Sequence, residues 1–255
     1  MCRAINQSKI LITGGGSGVG LALARTLAQR KNRVMICGRD AEKLEAAAKR
    51  IGEAETFVCD LAEPADLPKL IEAARQKLTG LTLLINNAAV QFNYDFAAST
   101  DIKKTVSDIV YETNVNFSAL ACLTALALPL LTKNEESAVV NVSSGLALAP
   151  KQSAPVYCAT KAAVHVFSKS LRYQAEDWSG KNKKRLRIYE AILPLVDTPM
   201  TAGRGRGKIS PEQASAEIIN GISRNKQEIH VGKVKLLIWL NRLVPGAAAR
   251  IMRGK

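Results

Sequence analysis

Acidic and aromatic residues are scarce in this sequence. Its 255 residues include 36 Lys and Arg but only 22 Asp and Glu, for a formal net charge of +14, and only 5% are Phe, Trp or Tyr. No Asp or Glu follows residue 230. Nucleic acid or an anionic membrane surface is one explanation for such an excess of positive charge. Because no nucleic-acid motif accompanies it, we favour a solvated basic surface that attracts a phosphorylated cofactor, and expect no nucleic-acid partner.

Histidine is rare, and the spacing of the cysteines does not suggest disulfide bonds. The five cysteines lie at Cys2, Cys37, Cys59, Cys122 and Cys158. Their odd number and the absence of CxxC spacing argue against a disulfide framework, so we expect reduced thiols. The two histidines, His165 and His230, have no acidic cluster near them in the sequence. We therefore expect no metal site.

Long hydrophobic runs are missing as well. The first residues carry no apolar core of a secretory signal, and the apolar stretch 119–131 is interrupted and falls short of a membrane span. Together with the cysteine pattern, this predicts a cytoplasmic protein. The basic tail, about residues 233–255, alternates apolar and cationic residues and is compatible with lying on a membrane. We favour a helix packed on the domain or on a second subunit.

Short apolar runs alternate with helical patterns along most of the chain, whose residues are 47% hydrophobic. This alternation is typical of βαβ units and predicts one α/β domain over residues 1–255, with a doubly wound parallel sheet of seven strands and helices on both faces. The predicted strands are 9–13, 33–37, 56–59, 81–86, 138–143, 186–193 and 228–232. The predicted helices are 19–30, 41–50, 64–78, 99–131 and 155–178.

The substrate-loop region, about residues 195–222, interrupts this regularity. Residues 195–209 contain three glycines and no clear period, which predicts a mobile loop. Ser210 then precedes a proline and is a plausible N-cap for another helix.

A glycine-rich segment, TGGGSGVG, follows the first predicted strand and leads directly into a helix. Gly14 permits a tight turn, and Gly18 lets the backbone approach a pyrophosphate. Gly20 allows close packing of helix on strand. Ser17 and Val19 complete the loop, whose backbone amides lie at a helix N-terminus. This context predicts a Rossmann-type dinucleotide site.

The end of the second strand carries the signal for cofactor choice. An acidic residue there would bind the ribose 2′-hydroxyl of NAD, whereas an arginine accommodates the 2′-phosphate of NADP. Gly38 stands where the acid is expected and Arg39 follows, so NADP(H) is preferred and NAD(H) remains possible. Asp40 either caps the next helix or reaches the ribose. Asp60, followed by Leu61 at the end of the third strand, either binds the adenine amine or caps a helix.

Tyr157 and Lys161 lie one helical turn apart at the start of a predicted helix. A lysine ammonium about 5 Å from a phenol, at an effective dielectric of about 20, lowers the phenol pKa by roughly two units. Lys161 and an oxidised nicotinamide together thus predict a tyrosine that acts as a usable acid or base near neutral pH. Ser144, at the end of the fifth strand, can donate to a substrate oxygen and stabilise a developing alkoxide.

Taken together, TGGGSGVG, the Asn-Asn-Ala-Ala run at 86–89, Ser144 and YCATK resemble the short-chain dehydrogenase/reductase family, in its compact single-domain branch. The segments around residues 194–212 and 228–252 resemble the DltE-like oxidoreductases within it. The resemblance covers essentially the whole chain. Two departures, Ala89 for the usual glycine and Leu193 before Pro194, remove no chemical group.

The resemblance implies further roles. By its spacing to Pro129, Asn116 matches the fourth catalytic residue of the family, with Asn114 as the less favoured alternative. Lys161 also binds the nicotinamide ribose, Asn87 lines the adenosine pocket, and a pair of residues meets the carboxamide. That pair is Val196 and Thr198.

These expectations combine into an NADP(H)-dependent interconversion of an alcohol and a ketone or aldehyde, with Tyr157 as general acid or base. The substrate is a small, partly apolar molecule. Its pocket is predicted to involve Phe92, Leu146, Leu148, Met200 and the loop 195–209. Arg204 and Arg206 either bind an anionic tail or are solvated.

Two rival interpretations remain open. One is an NADP-binding regulator or scaffold without turnover, and the other is a reductase docked on a membrane surface through its basic tail. A homodimer or homotetramer built on the long helices is implied by the family resemblance.

Overall fold

Aliphatic and β-branched runs form the strands of one parallel sheet. The computed structural model describes residues 7–244 and 246. The strands are β1 Lys9–Thr13, β2 Arg33–Gly38, β3 Ala54–Val58, β4 Leu83–Asn86, β5 Glu136–Ser144, β6 Arg185–Leu193 and β7 Glu228–His230. They are ordered β3-β2-β1-β4-β5-β6-β7, and every pairing is parallel. The predicted seven-stranded, doubly wound α/β fold is confirmed.

Eight α-helices connect or follow these strands within the described residues. They are α1 Gly18–Ala28, α2 Ala41–Ile51, α3 Asp66–Lys77, α4 Ile102–Thr113, α5 Ala119–Leu131, α6 Pro155–Asn182, α7 Pro211–Ser223 and α8 Val234–Leu243. Side-chain caps begin several of them. Ser210 accepts a hydrogen bond from the Gln213 amide at the start of α7, as the sequence predicts.

The predicted helix 99–131 is continuous but not uniform. A π-helical turn, Asn114–Ser118, separates α4 from α5. Single π-helical turns inside α-helices often occur at functional sites. The combined helix Ile102–Leu131 is the one helix in the described part of the chain that is long and apolar enough to cross a membrane, which corrects our expectation that its apolar stretch is too short. This is weak evidence for a membrane span. Leu123 and Ala127, on its inner face, belong to the protein core.

Both faces of the sheet are buried, as expected for a parallel sheet with crossover helices. Alternate residues of β1 enter different cores: Ile10 and Ile12 pack beneath α1, α2 and α7, while Leu11 packs beneath α3, α5 and α6. Cys37 and Cys59 are buried on the second side and unpaired. The sheet is thereby fixed from both sides, and its carboxyl edge is left to form a cleft.

The order of the strands reverses between β1 and β4. Successive crossovers leave in opposite directions there, which opens a crevice at the carboxyl ends of the strands. The glycine loop after β1 and the polar residues at the end of β5 meet at this crevice.

The basic tail begins with α8, which packs beside the same crevice. A Cβ on Gly145 would lie 3.0 Å from Leu237, and Asn241 donates to the Leu148 carbonyl oxygen at 2.9 Å. On the outer side, Leu236 and Trp239 are exposed. The remainder of the predicted tail and Cys2 lie outside the described residues, apart from Val244 and Gly246.

Candidate active site

One cleft of about 990 Å³ runs along the carboxyl edge of the sheet. It extends from the glycine loop, past the ends of β4 and β5 and the start of α6, to the loop 195–209. Among the residues predicted to be catalytic or to bind the cofactor, all but Gly20 and Asn116 line this cleft.

Backbone contacts shape the glycine loop. Gly14 has a φ of +66°, and a Cβ on it would lie 2.9 Å from the Ala88 Cα. A Cβ on Gly20 would overlap the Gly14 carbonyl oxygen and the Asn87 amide nitrogen. Asn87 donates to the Thr13 and Gly14 carbonyl oxygens at 2.9 and 3.3 Å. Asn87 therefore fastens the loop in addition to lining the cleft.

The first turn of α1 faces the loop that follows β6. Gly18, with a φ of +52°, packs so closely on Thr198 that a Cβ would lie 2.9 Å from the Thr198 Cγ2. Ser17 precedes α1 with extended backbone, and its side chain makes no capping hydrogen bond. Val196 forms a parallel bridge to Ile209, which closes the base of the predicted mobile loop.

Arg39 and Asp60 meet through a residue that sequence reasoning missed. Arg39 donates to the Tyr111 hydroxyl at 2.5 Å, and its guanidinium lies 5.7 Å from the centre of the Tyr111 ring. Tyr111 in turn donates to Asp60 at 2.9 Å. Tyr111 lies on α4, far along the chain from the glycine loop. No local signal in the sequence marks it.

Asp40 and Asp60, each a candidate for a helix cap or for cofactor binding, form hydrogen bonds with nearby residues. Asp40 caps α2 by accepting from the Lys43 amide, and the interaction with the Lys43 side chain and amide lowers the pKa of this exposed carboxyl. Asp60 accepts from the Ala62 amide at 2.9 Å besides the hydrogen bond from Tyr111. Leu61 is buried beside it and lines the cleft.

Tyr157, Lys161 and Ser144 lie together at the centre of the cleft. The Lys161 Nζ lies 5.7 Å from the centre of the Tyr157 ring and donates to the Val142 carbonyl oxygen at 2.9 Å. The Ser144 hydroxyl lies close enough to Tyr157 to lower the pKa of its phenol, against the larger effect of burial. The Ser144 Oγ also accepts from the Leu146 amide at 3.1 Å, which fixes its orientation.

The electrostatics of this group differ from the expectation. Enclosure in the protein raises the pKa of Tyr157 well above its ordinary value, and the hydrogen bond to Ser144 opposes this only in part. Enclosure lowers the pKa of Lys161 to about 8, against the opposing effect of the Glu190 carboxylate. The pKa of Tyr157 is therefore raised and not lowered as we expected, because desolvation outweighs the effects that lower it.

Asn116 lies in the π-helical turn and is 1% exposed. Its side chain accepts from the Val90 amide at 2.8 Å and donates to the Val90 carbonyl oxygen at 2.9 Å. It also donates to the Thr160 hydroxyl at 3.2 Å, so it joins the segment after β4 to α6 close to Lys161. Asn114 is only half-buried.

A buried carboxylate behind Lys161 also escaped sequence reasoning. Glu190 is fully buried on β6, accepts from the Ser143 hydroxyl at 2.5 Å and contacts the His165 Nδ1 at 2.9 Å. The hydrogen bond to Glu190 raises the pKa of His165. His165 is therefore a hydrogen-bond partner of Glu190, and forms an ion pair with it when protonated, in addition to being a packing residue. No cluster of three or more His, Cys, Asp or Glu suited to a metal occurs among the described residues.

The wall opposite the glycine loop matches the predicted pocket in part. Leu146 and Met200 line the cleft, whereas Phe92 and Leu148 do not. Phe92 instead packs near Tyr111, with ring centres 6.5 Å apart. Arg204 and Arg206 both line the cleft.

Comparison with known proteins places this geometry in a family. The short chain dehydrogenase family profile matches residues 8–208. The chain belongs to the short-chain dehydrogenase/reductase family. An uncharacterized oxidoreductase, DltE of Bacillus subtilis strain 168, is 38% identical over 88% of this chain and 88% of its own length. The chain is thus an oxidoreductase of the DltE-like subgroup.

Solved structures share the fold. A short-chain dehydrogenase/reductase from Burkholderia phymatum in complex with NAD superposes with a TM-score of 0.83, at 18% identity, over 98% of this chain and 96% of that one. A short-chain dehydrogenase from Sphingobium yanoikuyae in complex with NADPH superposes with a TM-score of 0.76, at 25% identity, over 95% and 94%.

Proposed function

We propose that the protein interconverts a carbonyl compound and its alcohol with NADP(H), with Tyr157 as the proton-transfer residue. The observation that carries this proposal is the cluster of Tyr157, Ser144 and Lys161 in the same cleft as the glycine loop. A bound nicotinamide would supply or accept the hydride. The side chains of the cluster would handle the proton and the charge on the substrate oxygen.

The raised pKa of Tyr157 favours the reductive direction. A phenol that keeps its proton at neutral pH can donate it as the substrate oxygen gains negative charge, because an alkoxide is a far stronger base than a phenolate. Ser144 would donate a hydrogen bond to the same oxygen. Lys161, whose pKa is lowered to about 8, is still largely charged at neutral pH and would stabilise the phenolate that remains.

The glycine loop fits a dinucleotide. A Cβ on Gly14 or Gly18 would lie 2.9 Å from Ala88 or Thr198, so neither position can carry a side chain without a shift of its neighbours. The amides at the N-terminus of α1 would then bind the pyrophosphate. Val196 and Thr198, which the family resemblance assigns to the carboxamide, line the same cleft and would lie beside the nicotinamide. The NAD and NADPH complexes of the two solved relatives agree with this use of the cleft.

Preference for NADP(H) rests on Arg39. No carboxylate stands at position 38, and Asp40 is engaged with Lys43 as the cap of α2. Arg39 is exposed and lines the cleft, and its guanidinium would accommodate a 2′-phosphate.

The direct test is a cofactor-binding titration with NADPH and NADH, followed by a panel of aldehydes and ketones with the tighter cofactor. We expect tighter binding of NADPH and carbonyl-dependent oxidation of it. Binding without oxidation across the panel, unchanged in Tyr157→Phe, would instead favour the regulator or scaffold.

We further propose a homodimer or homotetramer built on α4 and α6. Ile102, Val106 and Val110 recur at every fourth residue of α4 and are exposed, as are Val166 and Tyr173 on α6. Burial of these side chains against a second copy would remove apolar area from water. Light scattering of the purified protein tests this, and a monomer at micromolar concentration would contradict it.

For localisation, we propose the cytoplasm, since all the cysteines in the described ranges are free.

Liposome co-sedimentation tests the rival membrane-surface enzyme. The exposed Leu236 and Trp239 on α8 and the cationic tail are the features it would use. Equal pelleting of the full-length chain and a chain truncated after residue 232 would reject it.

A further inference from the structure

The two ends of the cleft differ in charge. Its only acidic lining residues in the described part of the chain, Asp40 and Asp60, lie at the end near Arg39. The other end is lined by four cations and no acid: Lys151, Arg204, Arg206 and Lys233. This end adjoins Tyr157, so a substrate that reaches the phenol passes through a positively charged region.

Two buried donors at this end have no acceptor. The Arg204 Nη2 donates to the Gln91 carbonyl oxygen at 3.5 Å, a long hydrogen bond, while its Nη1 is buried with no hydrogen-bond partner among the described residues. The Gln91 side-chain nitrogen is likewise buried with no partner there. Leaving such donors unpaired costs free energy, most of all for a charged one. Both residues line the cleft, so a ligand in it can supply the acceptors.

Arg204 has no hydrogen bond to a carboxylate within the described residues. The pKa of Lys151 is lowered by burial and by the positive charge of Arg204, which lies nearby. The charges of Glu112 and Arg204 attract each other, but the Glu112 carboxylate accepts its hydrogen bonds from the Tyr94 hydroxyl at 2.8 Å and the Phe92 amide at 3.4 Å. Burial raises the pKa of Glu112. Arg204 and Lys151 therefore form a pair of like charges that an anion would relieve.

We propose that Arg204, together with Gln91 and Lys151, binds an oxyanion group of the substrate, a carboxylate or a phosphate. This inference rests on the proposed function in that it names the substrate class of the same site. A guanidinium matches both groups through paired hydrogen bonds. The anion holds the substrate so that its carbonyl reaches Tyr157.

Apolar side chains determine the rest of the substrate. Leu146, Leu195, Met200 and Leu237 line the cleft at this end. They favour an aliphatic segment between the carbonyl and the anionic group. The substrate class is accordingly an oxo acid, or an oxo compound with a phosphate, whose two polar ends are separated by a hydrocarbon chain.

Binding of unreactive probes tests the anion site without turnover. Hexanoate, hexyl phosphate and hexanol are titrated calorimetrically into the full-length protein with saturating NADPH. We expect either anion to bind more tightly than hexanol, and Arg204→Gln to weaken anion binding roughly tenfold or more while hexanol binding is unaffected. The tighter of the two anions distinguishes a carboxylate from a phosphate substrate.

Arg206→Gln is the matched control. Arg206 lies two residues further along the same loop and is exposed, so its removal takes away the same charge but no buried donor. We expect it to change anion affinity by less than about threefold, as for exposed charges in general. Equal losses in the two variants, or equal affinity of the wild type for hexanoate and hexanol, would overturn the proposal.

A kinetic readout separates this inference from the proposed function. The ratio of kcat/KM for 6-oxoheptanoate to that for its methyl ester is expected to fall in Arg204→Gln, mainly through KM. Reduction of both compounds with no preference for the acid would reject the anion site alone. Anion binding that depends on Arg204, with no carbonyl compound reduced, would reject the proposed function alone.

Discussion

The glycine-loop end of the cleft is formed mainly by closely packed backbone, whereas the substrate end is formed mainly by side chains. At the first, backbone atoms lie so close together that only glycine fits at several positions. At the second, long cationic side chains project from loops, and a Cβ on Gly203 or Gly207 would meet nothing within 4 Å. Backbone geometry therefore fixes the first end, whereas side-chain charge decides what the second end accepts.

The catalytic group lies where the two ends meet, and its loss should have the largest effect. Tyr157→Phe removes the proton donor and leaves the ring, so we expect kcat to fall about 10² to 10⁴-fold with cofactor affinity almost unchanged. Steady-state kinetics and a cofactor titration measure both quantities. A variant that retains a tenth or more of the wild-type rate would show that the proton comes from elsewhere.

Substitutions of glycine test whether close backbone packing restricts the glycine-loop end of the cleft but not the substrate end. Gly20→Ala forces the Gly14 carbonyl oxygen and the Asn87 amide to move, and we expect a loss of about 1–3 kcal/mol in the free energy of unfolding, as for an overpacked core. Cofactor affinity should also fall. In Gly207→Ala the new Cβ would meet no atom within 4 Å, so only the φ of +70° is unfavourable. We expect the free energy of unfolding to fall by about 1–2 kcal/mol and cofactor affinity to be unaffected. Urea unfolding and cofactor titration compare the two, and equal cofactor affinities would contradict the comparison.

Charge also contributes at the first end, through Arg39. Arg39→Gln should reduce the preference for NADPH over NADH by roughly tenfold to a hundredfold, since a hydrogen bond to a charged group is lost. The affinity for NADH should change little, because Asp60 and Tyr111 stay in place. Lys43→Gln, at the exposed partner of Asp40, is the control for a general loss of positive charge. An unchanged preference in Arg39→Gln would assign the choice of cofactor to other residues.

The smallest expected effect is a shift in pH dependence. The pKa of Lys161 is about 8, so its ammonium loses its proton as the pH rises through that value, and the rate of carbonyl reduction should then fall. Glu190 raises the Lys161 pKa, so in Glu190→Gln the fall should begin at lower pH. Glutamine retains an acceptor for Ser143.

The pH profile of kcat/KM measures this shift. Glu228→Gln is the control, because Glu228 carries a negative charge near His165 but does not affect Lys161. A profile of Glu190→Gln that coincides with the wild type would show that Glu190 does not act on Lys161.

Much of the fold was predictable because its signals are local. Each strand is a short apolar run, and the cap Ser210 and the glycines after β1 act on their immediate neighbours. The spacing of Tyr157 and Lys161 likewise gave their place on one helix face. The limits of the helices shifted by a few residues, and the π-helical turn at Asn116 was not predictable from periodicity.

Contacts distant in sequence were not predictable. Tyr111 reaches Asp60 and Arg39 from α4, and Glu190 on β6 reaches His165 on α6. Neither pairing has a local pattern, since each depends on how separate elements pack.

The sequence by itself determined the strand and helix pattern, the glycine loop and the residue types of the proton-transfer group, because these depend on neighbours within a few positions. Only the tertiary structure decided the protonation behaviour of Tyr157 and Lys161 and the unpaired donors of Arg204 and Gln91. Desolvation and the supply of hydrogen-bond partners depend on everything that surrounds a group, and chain segments far apart in sequence provide those surroundings.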